Sequence, residues 1–365
     1  MKKVLCVFGT RPEAIKMAPV VKALEKCESL EVVVCVSAQH RGMLDQVLGI
    51  FDIRPDYDLN IMKDGQSLGY ITTSVMHGIA EIFEKEKPDL VLVHGDTTTA
   101  LSTALAAFYY GIKVGHVEAG LRTYDKASPF PEEINRQIID RIADYLFAPT
   151  EENKKNIISE HMNNGQEVVV TGNTVIDALK MTVSDDYNNS DFDWIGDHKL
   201  ILVTVHRRES FGEPMKRIMK AIRKIVDEFD DVKVIYPMHL NPKVREIAER
   251  ELGGHERIRL IEPLDVVDFH NYMNKAFFVM SDSGGVQEEA PSLGKPVLVL
   301  RDKTERPEGV KSGTLKIVGT MTDNIYKEAN RLLTDTEEYN KMKVAKNPYG
   351  DGLASERIAK FILDN

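Results

Sequence analysis

The chain has 365 residues, 42% hydrophobic and 28% charged, with a formal net charge of −10. That length exceeds what one hydrophobic core usually serves and the composition is that of packed globular protein, so two domains are expected and disorder is not. The acidic balance argues against nucleic acid or an anionic membrane as partner, and Cys6, Cys27 and Cys35 form neither a disulfide framework nor, with any histidine, a zinc-ligand spacing.

Met1-Lys2-Lys3 leads into an apolar run at 4–8 that is too short for the core of a signal peptide, and nothing approaches membrane-spanning length, so a cytoplasmic protein is expected. Short β-branched runs then alternate with helical patterns: 4–8, 32–37, 90–94, 114–117, 145–148 and 168–171. After a polar, Asp/Asn-rich stretch at 184–193, a second series occupies 200–205, 232–236, 258–261, 277–281 and 297–300. Strands alternating with helices mean parallel sheets covered on both faces. Two series predict an α/β protein of two Rossmann-like, doubly wound domains, residues 1–172 and 173–352. Ligands of such sheets bind beyond the carboxyl ends of the strands, and two such domains normally share one in a cleft.

The residues after each run therefore matter most. The first ends in Gly9-Thr10-Arg11-Pro12-Glu13-Ala14-Ile15-Lys16. Thr10 and Glu13 have capping-box spacing, whereas Arg11 and Lys16 near a helix N-terminus suit a phosphate or carboxylate, a solvated face being the alternative. The run at 90–94 leads into Gly95-Asp96-Thr97, where Asp96 is either a helix cap or a cleft carboxylate. The run at 114–117 leads into Glu118-Ala119-Gly120-Leu121-Arg122; a carboxylate closing a buried strand needs a partner, and Arg122 is the nearest in sequence. Pro131-Glu132-Glu133 opens another helical pattern, with Glu132 and Arg136 spaced for an i,i+4 pair. Each acid has a structural explanation, but three at strand ends or loop-to-helix junctions of one domain suit proton donation and acceptance, because grouped carboxylates push one another's pKa values apart.

In the second series, His206-Arg207-Arg208-Glu209 suits diphosphate binding or proton transfer, with a solvated basic loop as the alternative. Asp282-Ser283-Gly284-Gly285-Val286-Gln287-Glu288-Glu289 places a strand, two glycines and a short helix in the order that makes an anion site, to which Ser283 adds a hydroxyl and Glu289 an acceptor for ribose. Arg301 and Arg306 follow the next strand. No G-x-G-x-x-G is present, Gly294-Lys295 lacks the rest of a P-loop, and Asp56-Tyr57-Asp58 follows no clear strand and is not read as a metal site.

These motifs resemble the non-hydrolysing UDP-N-acetylglucosamine 2-epimerases, as do Gly115-His116-Val117, Thr304-Glu305-Arg306-Pro307-Glu308-Gly309 and Asn347-Pro348-Tyr349-Gly350-Asp351-Gly352. The resemblance implies a glycosyltransferase-B-like fold, with a C-terminal helix at 353–365 packing back on the first domain. It implies interconversion of UDP-N-acetylglucosamine and UDP-N-acetylmannosamine for cell-surface polysaccharide, by a homodimer needing neither metal nor nicotinamide. Carried over by motif, Asp96, Glu118 and Glu132 are catalytic with His206, while Arg11, Lys16, Arg136, Phe269, Ser283, Gly284, Gly285, Glu289 and Arg306 hold the substrate. Gln39, His40 and Gln66 match an effector site at which bacterial members bind a second UDP-N-acetylglucosamine; Gly42 and Gly65 depart from it where contacting side chains are often found. A glycosyltransferase, a hydrolysing epimerase and a non-catalytic nucleotide-sugar sensor are the competing readings.

Overall fold

The computed structural model describes residues 1–160 and 165–365, and the side chain of Arg208 lies outside that description. The chain divides into two compact units, Met1–Met181 with Tyr349–Asn365, and Thr182–Pro348.

The first unit is built on seven parallel strands: β1 (Lys2–Phe8), β2 (Leu30–Val36), β3 (Tyr57–Asp58), β4 (Leu90–His94), β5 (Lys113–Val117), β6 (Tyr145–Ala148) and β7 (Glu167–Val170), in the order β3-β2-β1-β4-β5-β6-β7. The central strands bury both faces; every residue of β4 is buried, which is why it reads as one apolar run. Strand order reverses beside β1, so the loops after β1 and β4 come together at a topological switch point.

The second unit carries six parallel strands, β8 (Lys199–Thr204), β9 (Val232–Pro237), β10 (Ile258–Ile261), β11 (Phe278–Ser281), β12 (Val297–Val299) and β13 (Leu315–Ile317), in the order β10-β9-β8-β11-β12-β13. Its switch point lies beside β8, next to β11. Among the described residues no helix is long and apolar enough to cross a membrane.

Two edge strands, β3 and β13, escaped the sequence reading. β3 has no apolar run; Tyr57 alone packs on the core, and polar groups fix the strand's flanks. The Asp56 carboxylate accepts from the Val34 amide at 2.8 Å and Asp58 pairs with Arg41 at 2.5 Å, so both acids of the D-x-D sequence have local work. The units also divide at 181/182 and 348/349 rather than at 172/173 and 352/353. The helix Thr174–Thr182 stays, all but its last residue, with the first unit because Asp177 accepts from the Ala354 and Ser355 amides, at 3.2 and 2.8 Å, at the start of the last helix, Ala354–Asp364. That helix sets Phe361 edge-on to Tyr145 and Phe147, with ring centroids 5.2 and 5.5 Å away.

Candidate active site

In the first unit the loops after β1, β4 and β5 and the helix Glu132–Ile142 converge on one cluster of charge. Gly9 permits the approach: a side-chain carbon there would stand 1.9 Å from Ser37 Oγ. Glu13 caps its own helix, Arg11–Glu25, accepting from the Gly9 and Thr10 amides at 3.0 and 2.8 Å and from Thr97 Oγ1 at 2.6 Å. Arg11 opens that helix half-buried, and one turn further on Lys16 reaches across to pair with Glu118.

Glu118 is 8% exposed and sits at φ +69, a left-handed conformation that a non-glycine residue keeps only where its surroundings impose it. Its carboxylate also accepts from Asn173 Nδ2 at 3.2 Å. His94 Nε2 stands 3.2 Å from the other oxygen, off the hydrogen-bond line. Burial drives the His94 pKa down to about 3 against the pull of the Glu118 carboxylate, with Lys16 adding to the drop, so this imidazole is neutral and adds no ion pair.

Asp96 lies opposite. Arg136 Nη1 approaches its carboxylate at 3.2 Å and Asn135 Nδ2 donates to its carbonyl at 2.8 Å. Although 27% of its side chain is exposed, its surroundings push its pKa up to about 6. Loss of hydration is the main cause, repulsion from Glu118 and Glu132 adds to it, and Arg136 and Lys16 oppose it. Glu132 itself is half-buried at the first position of its helix. Asp96 therefore lies within the electrostatic reach of both other acids singled out in the sequence.

Two pairings differ from those suggested by spacing. Arg136 turns from Glu132 to Glu133 and Asp96, because Glu133 is fully buried and is fixed by the Thr123 and Tyr124 amides at 3.0 and 2.9 Å. Those amides and Arg136 hold Glu133 below the usual carboxylate range although burial opposes this. Arg122 turns from Glu118 to Asp140 and Glu160, each at 2.7 Å. Among the other residues named from the sequence, Gln66 Nε2 donates to the Gln39 carbonyl at 2.9 Å and Thr99 Oγ1 donates to Gln39 Oε1 at 3.0 Å. His40 stands half-buried at the cap of the next helix, Arg41–Ile50, where Gly42 has open space around it.

In the second unit the loop after β8 meets the loop after β11. Asp282, wholly buried, organises it by accepting from the His206 and Arg207 amides at 3.0 and 2.9 Å and from Ser210 Oγ at 3.1 Å. The His206 ring stacks on His239 at 5.7 Å; burial, His239 and Arg207 hold its pKa below the ordinary histidine value despite Asp282. The helix Gly284–Glu289 starts among cations: a side-chain carbon at Gly284 would lie 3.6 Å from Arg207 Nη2 and 3.8 Å from Arg306 Nη2. Arg306 is anchored by the buried Glu288. Glu305 registers the positive field, for Arg207, Arg301 and Arg306 hold its pKa down against the effect of burial. Glu289 folds back toward the helix start, 3.4 Å from where a Gly285 side-chain carbon would be, with His270 Nε2 3.8 Å from its carboxylate. Phe269 is half-buried against the core on the helix Val266–Lys275. Cation and backbone amide thus share one end of the second unit's sheet, a site for an anion such as a diphosphate.

Sequence reasoning passed over His94, Asn173, Asp282 and His270 as site residues. Asn173 was within reach, since it follows β7 as Asp96 follows β4; His94 was hidden inside a run read as apolar strand.

The family model described as UDP-N-acetylglucosamine 2-epimerase matches residues 22–363. A UDP-N-acetylglucosamine 2-epimerase of Bacillus subtilis is 59% identical over 361 residues, 99% of this chain and 95% of the relative. The solved structure of the Neisseria meningitidis UDP-GlcNAc 2-epimerase bound to UDP-GlcNAc is 50% identical, covers all of both chains and superposes with a TM-score of 0.91. The MnaA–UDP co-structure from S. aureus is 54% identical with a TM-score of 0.91, covering 100% of this chain and 97% of that one.

Proposed function

Because the chain belongs to the UDP-N-acetylglucosamine 2-epimerase family, we propose that it interconverts UDP-N-acetylglucosamine and UDP-N-acetylmannosamine without hydrolysis. The reaction removes the C2 proton and expels UDP, leaving bound 2-acetamidoglucal; protonation on the opposite face and return of UDP complete the inversion. The C2 proton is weakly acidic, so its removal needs a placed carboxylate and a stabilised leaving group.

The observation that carries this reading is the repulsion of Asp96 by Glu118 and Glu132, which adds to its loss of hydration in bringing Asp96 to about 6. A carboxyl with that pKa exchanges protons readily near neutral pH, and inversion needs proton-handling groups on both faces of the ring. Asp96, Glu118 and Glu132 carry the proton transfers, and Lys16 and Arg136 keep Glu118 and Asp96 in place. Arg306, with Arg207, the Gly284 and Gly285 amides and Ser283, takes the diphosphate; His206 assists its departure, and Arg11 adds positive charge on the first unit. Glu289 accepts from ribose and Phe269 lies against uracil. Gln39, His40 and Gln66 are assigned to a second, activating nucleotide-sugar.

The enzyme works in the cytoplasm as a homodimer and supplies polysaccharide synthesis. Support for a second copy comes from Phe108, Tyr109, Ile134 and Ile138, which are exposed on two helices that pack together; sedimentation at micromolar protein should give twice the chain mass.

Incubation with UDP-N-acetylglucosamine in D2O, followed by proton NMR, tests the activity. UDP-N-acetylmannosamine carrying deuterium at C2 is expected. Free sugar with UDP would indicate a hydrolysing enzyme, and an unchanged spectrum would remove the epimerase reading.

A further inference from the structure

His116 lies on β5 two residues before Glu118, with none of its surface exposed. An imidazole in such a place is unfavourable unless its nitrogens are satisfied. Nδ1 meets Asp140 Oδ1 at 2.5 Å and Nε2 meets the Gly95 carbonyl at 2.7 Å; a carbonyl only accepts, so Nε2 donates. Asp140, equally buried, accepts with its other oxygen from the Gly120 amide at 3.0 Å and faces Arg122 Nη1 at 2.7 Å. Arg122 is balanced in turn by Glu160.

These bonds end on the two turns that present the carboxylates. Gly95 immediately precedes Asp96, and Gly120 follows Glu118 by two residues, with φ of +62 and +86. Neither glycine tolerates much change: a side-chain carbon at Gly120 would meet the Asn153 carbonyl at 2.3 Å, and both residues occupy the left-handed region. Glu118, at φ +69, lies in sequence between His116 and Gly120, the two points at which this circuit meets its strand and turn. A conformation of that kind persists only where neighbouring groups over-determine it.

We propose that His116 and Asp140 are positioning residues for the epimerisation, a buried pair that ties the Gly95–Asp96 turn to the Glu118–Gly120 turn and so sets the spacing of two reacting carboxylates. The proposal rests on the epimerase reading given above. Both side chains are fully buried, so they act through Asp96 and Glu118. A displacement of about 1 Å in a reacting group is enough to lower turnover on the order of a hundredfold.

The test compares wild type, His116→Ala, His116→Gln and Asp140→Asn as full-length proteins, measuring kcat and KM with UDP-N-acetylglucosamine and UDP affinity by calorimetry. His116→Ala should lose kcat by roughly a hundredfold while KM and UDP affinity stay within about threefold. His116→Gln, whose amide can still donate toward the Gly95 carbonyl, should recover at least about tenfold of that loss, and Asp140→Asn should fall between them. The proposal is overturned if His116→Ala keeps its kcat, if UDP affinity falls in step with kcat, or if folded His116→Gln is as slow as His116→Ala. Should His116→Ala not fold, His116→Gln decides alone: turnover within about tenfold of wild type supports positioning, and a greater loss overturns it. Failure of both to fold also overturns it, leaving the pair a purely structural role. Wild-type enzyme without turnover would sink the epimerase reading itself, an outcome distinct from active wild type with an indifferent His116.

Discussion

The two units use the same architecture to opposite electrostatic ends. At the strand ends of the first, Asp96 and Glu118, with Glu132 at a neighbouring helix start, are close enough that the other two raise the proton affinity of Asp96, while Lys16 pairs with Glu118 and Arg136 with Asp96. At the strand ends of the second, Arg207 and Arg306 flank the start of a short helix, and nearby Glu305 is pulled below the ordinary carboxylate range. A parallel sheet supplies the position in both units; the side chains after its strands decide whether that position gathers carboxylates or cations.

The sharpest break of this contrast comes from the first unit's acids. Asp96→Asn, Glu118→Gln and Glu132→Gln should each cut kcat by at least about a hundredfold in a steady-state assay, the usual scale for acid–base groups. A variant with near-normal turnover would leave the mechanism. In the second unit, Arg306→Ala should weaken UDP binding by roughly tenfold or more by calorimetry, the loss of a charge-assisted pair. It should also lower the melting temperature, because Glu288, 2% exposed, would lose a buried partner.

A smaller effect separates architecture from chemistry. Asp177→Ala removes the acceptor at the start of the last helix and should destabilise the fold by about 1 kcal/mol, with kcat little changed. Denaturant titration would show this as a lower midpoint at constant slope.

The smallest effect concerns pH. The folded-state pKa of Asp96 is raised from 3.8 to about 6, so its contribution to stability is fully present below the unfolded value and is lost as pH rises through about 6. Asp96→Asn should therefore gain stability relative to wild type between pH 4 and pH 7, by about 2 °C in melting temperature at pH 7, and match or trail it at pH 4. An equal difference at both pH values would contradict the assigned cause.

Much of this was legible because strand ends announce themselves. The buried run of β4 could only be a covered parallel strand, and Asp96 follows from its end. β3 was not legible, since Tyr57 and Asp58 have no apolar run and depend on a side chain, Asp56, bonding to the neighbouring strand. Spacing suggested Glu132 for Arg136; the pairing with Glu133 instead was set by backbone amides of Thr123 and Tyr124, which pin Glu133 from a loop whose path no local rule predicts. Lys16 and Asn173, which bind Glu118, and His94, which stands beside it, come from three other segments. Only the strand order brings them to it, and the order of strands is not written in any one motif.

The division of labour is tested most directly by titrating UDP into Glu118→Gln. If the first unit's acids move protons and the second unit grips the nucleotide, the Kd should remain within about threefold of wild type, less than ~0.7 kcal/mol, while turnover is abolished. A Kd weakened by about tenfold or more would mean that Glu118 helps hold UDP, and the separation between the two units' roles would not stand.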